Sequence, residues 1–275
     1  MFKRFQISID DIGFLADEKS NHYREIGEKL FTSLDKSFEG DVKEYLNENK
    51  ELSADLIKND WFPKIDCDVF ISHSHIDEEK ALILSGWLFE ELNIVSFIDS
   101  KLWKYTNNLL KKLDNEYTLN SDEKTYNYDK RNFSTSHAHV MLSSSLVEMI
   151  DSSECLIFIN GEGSSSFKND LETNTLSPWI YTELTVSDVI KIRIPIRHLT
   201  KFLEKNAGLE NFSISESVAT EDAKMKVNYS VSPILSRLPS ITPDHLYEWI
   251  ANKDQDKNNF KNLDVLYKTF GWNYE

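Results

Sequence analysis

The stretch Cys67-Asp68-Val69-Phe70-Ile71-Ser72-His73-Ser74-His75-Ile76-Asp77 decides the fold. Its apolar core ends abruptly in small polar groups, and a helical pattern begins just after it. A run of this length, bounded this way, reads as a buried strand over Asp68–Ser72 that feeds a helix. In a parallel α/β sheet, ligands bind where strands end and helices start. Ser72, His73 and Ser74 therefore stand where backbone N–H groups and hydroxyls meet a phosphate or a ribose.

Working outward, the pattern alternates. Ala81, Leu84, Leu88 and Leu92 form one stripe of a helix over Glu78–Leu92. A strand over Ile94–Ile98 follows. Asp99–Asp114 then carries Trp103, Tyr105 and a Leu109-Leu110-Leu113 face. Residues 115–135 are rich in Asn, Tyr and Asp without clear periodicity, and read as an ordered insertion. Val140, Leu142, Leu146 and Met149 mark a helix over Ser136–Ile150, and Cys155–Asn160 is a short apolar strand. A Gly/Ser-rich loop over 161–178 leads to a helix over Trp179–Val189 and a strand over Ile190–Ile196. Strands alternating with helices predict βαβ units and a parallel sheet.

The flanks differ. Residues 1–62 place Ile26, Leu30, Leu34 and then Val42, Tyr45, Leu46, Leu52 and Leu56 at helical spacing, which predicts a helical N-terminal extension. Pro63 marks the entry to a main domain over 63–200. Residues 201–275 read as a mostly helical C-terminal extension, with helices over Pro243–Ala251 and Phe260–Phe270.

Composition narrows the function classes. With 275 residues and 40% hydrophobic content the chain can bury a substantial core, as one large α/β domain with additions or as two small ones. Its net charge of -15 argues against a nucleic-acid partner, whose affinity would rest on phosphate contacts. No run of about 18 apolar residues and no signal-peptide pattern is present, so no membrane partner and a cytoplasmic location are expected. Cys67 and Cys155 sit in or at the start of apolar runs and read as buried reduced thiols. Two such cysteines make no zinc cluster, and no metal is expected.

Three pieces in order resemble the boxes of a bacterial TIR (Toll/interleukin-1 receptor) domain, over roughly residues 66–200. The first is Asp68–Asp77; the second is Phe97-Ile98-Asp99 with Trp103 downstream; the third is Trp179-Ile180-Tyr181-Thr182-Glu183. The resemblance implies a flavodoxin-like parallel sheet with helices on both faces. It implies cleavage of the nicotinamide–ribose bond of NAD+, with Glu183 catalytic. NAD+ would be a substrate, with no further cofactor. Ser72, His73, Ser74, Asp99, Trp103 and Trp179 would line the substrate cleft. It also implies a homo-oligomer through TIR–TIR contacts, in antiphage systems such as Thoeris, with a phage-derived trigger and a separate effector that reads the nucleotide product. The chain departs from the pattern in two places. Tyr105-Thr106-Asn107-Asn108 lacks the Gly usual in the loop after the second strand, and the segment before the third strand is longer by about twenty residues.

One carboxylate suffices for such chemistry. Most glycosidases need a second to protonate the leaving group. In NAD+ the leaving group is a pyridinium, which departs neutral without a proton. The carboxylate then has only to stabilise an oxocarbenium-like ribose. Water as the next nucleophile gives ADP-ribose; a group of the same molecule gives a cyclic isomer.

The same residues have plainer readings. Ser72, Ser74 and Asp77 suit a helix cap, Asp99 suits a turn, and a Trp at a helix start often plugs a core. His137 and His139, two apart on a helix, face different directions and read as packing or capping groups. Lys130 and Arg131 offer a phosphate grip; Gly161-Glu162-Gly163 lacks the Lys-Ser/Thr ending of a phosphate loop. Two alternatives stand beside the NAD+-cleaving enzyme: a non-catalytic TIR scaffold that signals by assembly, and a nucleoside deoxyribosyltransferase-like enzyme.

Overall fold

The computed structural model describes residues 1–15, 19–33, 41–121, 124–161, 166–169, 172–175, 177–198 and 228–272. Five parallel strands form the central sheet: β1 (Lys3–Ser8), β2 (Val69–Ser72), β3 (Ser96–Ile98), β4 (Cys155–Asn160) and the edge strand Ser240–Ile241, in the order β3-β2-β4-β1-edge. The fold is mixed α/β.

Strand alternation splits the core into two faces. Phe5, Ile7, Val69, Ile71, Ile98, Ile157 and Ile159 point to one. On that face lie α1 (Ile9–Leu15), α2 (Ser20–Ser33), α4 (Glu78–Leu92) and the helices Pro243–Ala251 and Asn259–Thr269. Phe70, Phe97, Leu156 and Phe158 point to the other. There lie α3 (Ala54–Trp61), α5 (Ser100–Tyr117), α6 (Tyr128–Ser152) and α7 (Pro178–Val189). The helices α2 and α4 meet backbone to backbone. A Cβ at Gly86 would stand 1.9 Å from the Tyr23 carbonyl oxygen, and one at Gly27 2.1 Å from that of Leu82. α4 ends on Asn93, whose left-handed backbone (φ 54) lets its N–H close on Leu88 and Phe89.

The flanks are part of the sheet. Residues 1–62, expected to be helical, begin with β1. It pairs with β4 in register from Lys3–Cys155 to Ser8–Asn160. The expected strand over Ile190–Ile196 is absent, because β1 fills the place beside β4. Phe5 and Ile7 are fully buried there, while Ile192 and Ile196 are left exposed. Arg193 of that segment donates its backbone N–H to the Met1 carbonyl at 2.9 Å and its side chain pairs with Asp151, without a ladder to β1. The C-terminal region supplies the edge strand and two core helices. Asn262 ties them to α4 by donating to the Leu92 carbonyl at 2.8 Å. The helix expected over Phe260–Phe270 runs Asn259–Thr269; residues 201–227 lie outside the described residues.

Two further expectations change. Most of the segment 115–135 is helix: α5 runs to Tyr117 and α6 starts at Tyr128, eight residues before the expected Ser136. A bridge between Leu119 and Tyr126 closes the turn between them. The expected loop 161–178 holds a hairpin, β5 (Ser166–Asn169) and β6 (Glu172–Thr175), extended by β7 (Tyr229–Ser230) into a small antiparallel sheet.

Candidate functional site

The chain leaves β2 by α4 on one face and returns from β3 by α5 and α6 on the other. The carboxyl ends of these strands flank a point where the connections diverge, the usual place for a ligand crevice. Ser72 is the last residue of β2 and His73 follows it. Asp99 follows β3 as the N-cap residue of α5 and makes no side-chain cap bond. Glu183 comes from α7. That helix starts where the Ser177 side chain accepts the Ile180 N–H and Pro178 fills the first turn. This fixed start turns Glu183 inward, toward the strand ends.

The four side chains meet. The Ser72 hydroxyl donates to Glu183 Oε2 at 2.5 Å, with both residues fully buried. Asp99 follows the strand beside the one that Ser72 ends, and its carboxyl lies near enough to Glu183 to push that group's proton affinity upward. His73 Nδ1 lies 2.9 Å from Asp99 Oδ1, and both residues are buried. The cluster thus brings together two carboxyl groups, one imidazole and one hydroxyl.

Its electrostatics follow from that inventory. Burial pushes the Glu183 carboxyl well above the usual carboxylate range, and the neighbouring Asp99 pushes it further; the Ser72 hydroxyl opposes them by favouring the ionised form. Burial alone would lower the His73 imidazole. The Asp99 carboxylate outweighs it, with a smaller push from Glu78, so His73 stays protonated to higher pH. These directions favour a protonated His73 paired with Asp99 and a protonated Glu183 beside them.

The other expected site residues divide. Ser74 is buried at the head of a one-turn 3₁₀ helix and makes no side-chain cap bond. Trp103 lies on α5, and its side chain is outside the described residues. Trp179 is half-buried and meets His139 edge-on at 5.5 Å. His137 packs likewise against Phe133, at 4.4 Å. Arg131 donates to Asp114 at 3.0 Å, which gives it a structural partner in the α5–α6 hairpin. Gly161 lies at the end of β4, where a Cβ would stand 1.9 Å from Ile9 Cδ1 and 2.9 Å from Asp77 Oδ2.

The contact between Asp99 and Glu183 is what sequence reasoning missed. Each is a candidate by itself, but nothing local joins residues 84 positions apart, and departure of a neutral nicotinamide calls for no second carboxyl.

Elsewhere, a groove of about 980 Å³ between α3, α5 and α6 is lined by Leu52, Ile57, Leu113, Tyr117, Phe133 and Met141, away from the cluster. Cys67 and Cys155 are free thiols; burial pushes Cys67 up to about 11 and Cys155 well above the usual range. Among the described residues, no helix is long and apolar enough to cross a membrane, and no three His, Cys, Asp or Glu side chains group to hold a metal ion. No family model, curated protein or solved structure matches the chain.

Proposed function

We propose that the chain cleaves the nicotinamide–ribose bond of NAD+ with Glu183 as the catalytic carboxylate. The observation that carries this reading is the convergence of Glu183 with Ser72, His73 and Asp99 at the carboxyl ends of β2 and β3. Those four residues come from all three sequence boxes that resemble a TIR domain. The partial order β3-β2-β4 also fits the flavodoxin-like 2-1-3 arrangement, with β1 and the edge strand in the two remaining places.

In the proposed reaction the C1′–N bond breaks and its electron pair goes to the pyridinium nitrogen, so nicotinamide leaves neutral. The ionised Glu183 stabilises the cationic ribose, and Ser72 holds the carboxylate in that form. Water then adds at C1′ to give ADP-ribose, or an internal nucleophile gives a cyclic isomer. Activity on NAD+ rises with pH, because the working form of Glu183 is the one that burial and Asp99 oppose.

Ser72 and Glu183 are fully buried in the described conformation. Substrate entry therefore needs the site to open, which fits an enzyme gated by self-association or by a phage-derived trigger, in the cytoplasm, with a separate effector for the product. The test is chromatography of NAD+ after incubation with the protein, dilute and concentrated. Nicotinamide with ADP-ribose or a cyclic isomer, formed faster per molecule at high concentration, supports the proposal. NAD+ left intact at every concentration, both by the protein alone and with lysate of phage-infected cells added, overturns it.

A further inference from the structure

A site built only for a pyridinium leaving group has no use for a second carboxyl against the first. Asp99 works against that task, since its charge disfavours the ionised Glu183 that a cationic ribose needs. The cluster holds two buried carboxyl groups and one imidazole, and that imidazole is paired with Asp99. Charge balance then leaves the proton on Glu183. A pair of carboxyl groups driven to opposite protonation states is the arrangement that supplies a general acid.

We infer that the same site also cleaves neutral N-ribosides, purine or pyrimidine nucleosides, with Glu183 as the acid that protonates the departing base and Asp99 as the positioning residue that keeps Glu183 protonated. This rests on the reading of Glu183 as the catalytic group. A neutral base leaves poorly as an anion, so it needs the proton that nicotinamide does not. The C1′–N bond breaks, its electron pair goes to the base, and Glu183 delivers its proton to a base nitrogen or oxygen. The oxocarbenium ion is then faced by the newly formed Glu183 carboxylate. Water adds at C1′ and its proton returns to Glu183. The balance is nucleoside plus water giving free base plus ribose, and no oxidant or metal enters it.

The titratable groups around Glu183 set the pH behaviour. Asp99 faces it from the end of β3, and His73 acts through Asp99 from the end of β2. Asp77 lies at the end of the same β2 turn, and Glu78 of α4 acts on His73. On the other packing partners of α7, His139 of α6 meets Trp179, and Tyr229 stacks on Tyr181.

The experiment measures free base from inosine, adenosine and uridine, and nicotinamide from NAD+, by chromatography from about pH 5 to about pH 9. Nucleoside cleavage should fall as pH rises, while NAD+ cleavage rises over the same range. Asp99→Asn should cut nucleoside cleavage at least about tenfold at neutral pH and move the NAD+ limb to lower pH, because Glu183 then ionises more readily. Asp99→Glu, which keeps the charge, should restore part of the nucleoside activity. The two wild-type limbs carry the test by themselves should Asp99→Asn unfold. NAD+ cleavage with no base released from any nucleoside overturns this inference and leaves the NAD+ reading standing. Two limbs that rise together overturn the acid role. Cleavage of neither class, at high protein concentration and with lysate of phage-infected cells added, overturns both readings.

Discussion

Ser72→Ala isolates what holds Glu183. The serine hydroxyl donates to Oε2 at 2.5 Å, and no part of either residue reaches solvent. That bond favours the ionised carboxylate, against burial and Asp99. A buried hydrogen bond to a charged group contributes about 1.5–3 kcal/mol. Its loss makes the ionised form harder to reach by that amount. Because NAD+ cleavage runs through that form, turnover at neutral pH should fall by about ten- to a hundredfold. At high pH Glu183 ionises in the variant too, and turnover should climb back toward wild type. The assay is the initial rate of nicotinamide release across pH, with a melting curve on the same samples. Ala removes one oxygen and leaves the rest of the packing in place, so the fold should survive. An unchanged neutral-pH rate refutes the reasoning. So does an equal loss at every pH in a folded variant.

Glu183→Gln should stabilise the fold as pH rises. The folded pKa lies above the ordinary 4.5, so the native state keeps a proton that the unfolded chain releases, and wild-type stability declines from about that pH upward. Gln has no such loss, so melting temperatures of the pair should diverge with increasing pH; parallel curves contradict a buried acid. Gly86→Ala should cost about 1–3 kcal/mol and lower the melting temperature by several degrees, because the new Cβ meets Tyr23 backbone at 1.9 Å. An unchanged melt would mean that α2 and α4 do not pack this closely. Tyr128→Ala should leave stability within about 0.5 kcal/mol, since 77% of the residue is exposed; a large drop in the melt would place the ring in a core.

The middle of the chain was legible because its signals are local. The Val69-Phe70-Ile71 and Cys155–Asn160 runs are buried on both faces, and the α4 stripe repeats at helical spacing. β1 was not, because four of its six residues are polar and their partners are remote in sequence. Lys3 lies over the Trp272 ring at 3.6 Å, and Gln6 donates to the Leu235 and Leu238 carbonyls at 3.1 and 3.0 Å. Only the Phe5–Ile7 alternation hinted at a strand. Ile190–Ile196 has the better alternation and still forms none, because parallel pairing depends on which segment reaches the slot beside β4. The edge strand has two residues, too few for any periodicity. In the site, Ser72, His73 and Asp99 stood out through their places at strand ends, and Glu183 through the Trp179–Glu183 box that resembles a TIR domain's. Their mutual contacts, and with them the proton balance, exist only once the sheet is assembled.

The central claim is that Glu183 breaks the nicotinamide–ribose bond. Its most direct test is the initial rate of nicotinamide release from saturating NAD+ by wild type and by Glu183→Gln, at equal concentration and with matched melting curves. The account predicts release by wild type that increases with pH, and a loss of at least about a hundredfold in the variant, equivalent to roughly 2.7 kcal/mol or more in barrier. A folded Glu183→Gln protein that releases nicotinamide at the wild-type rate contradicts it.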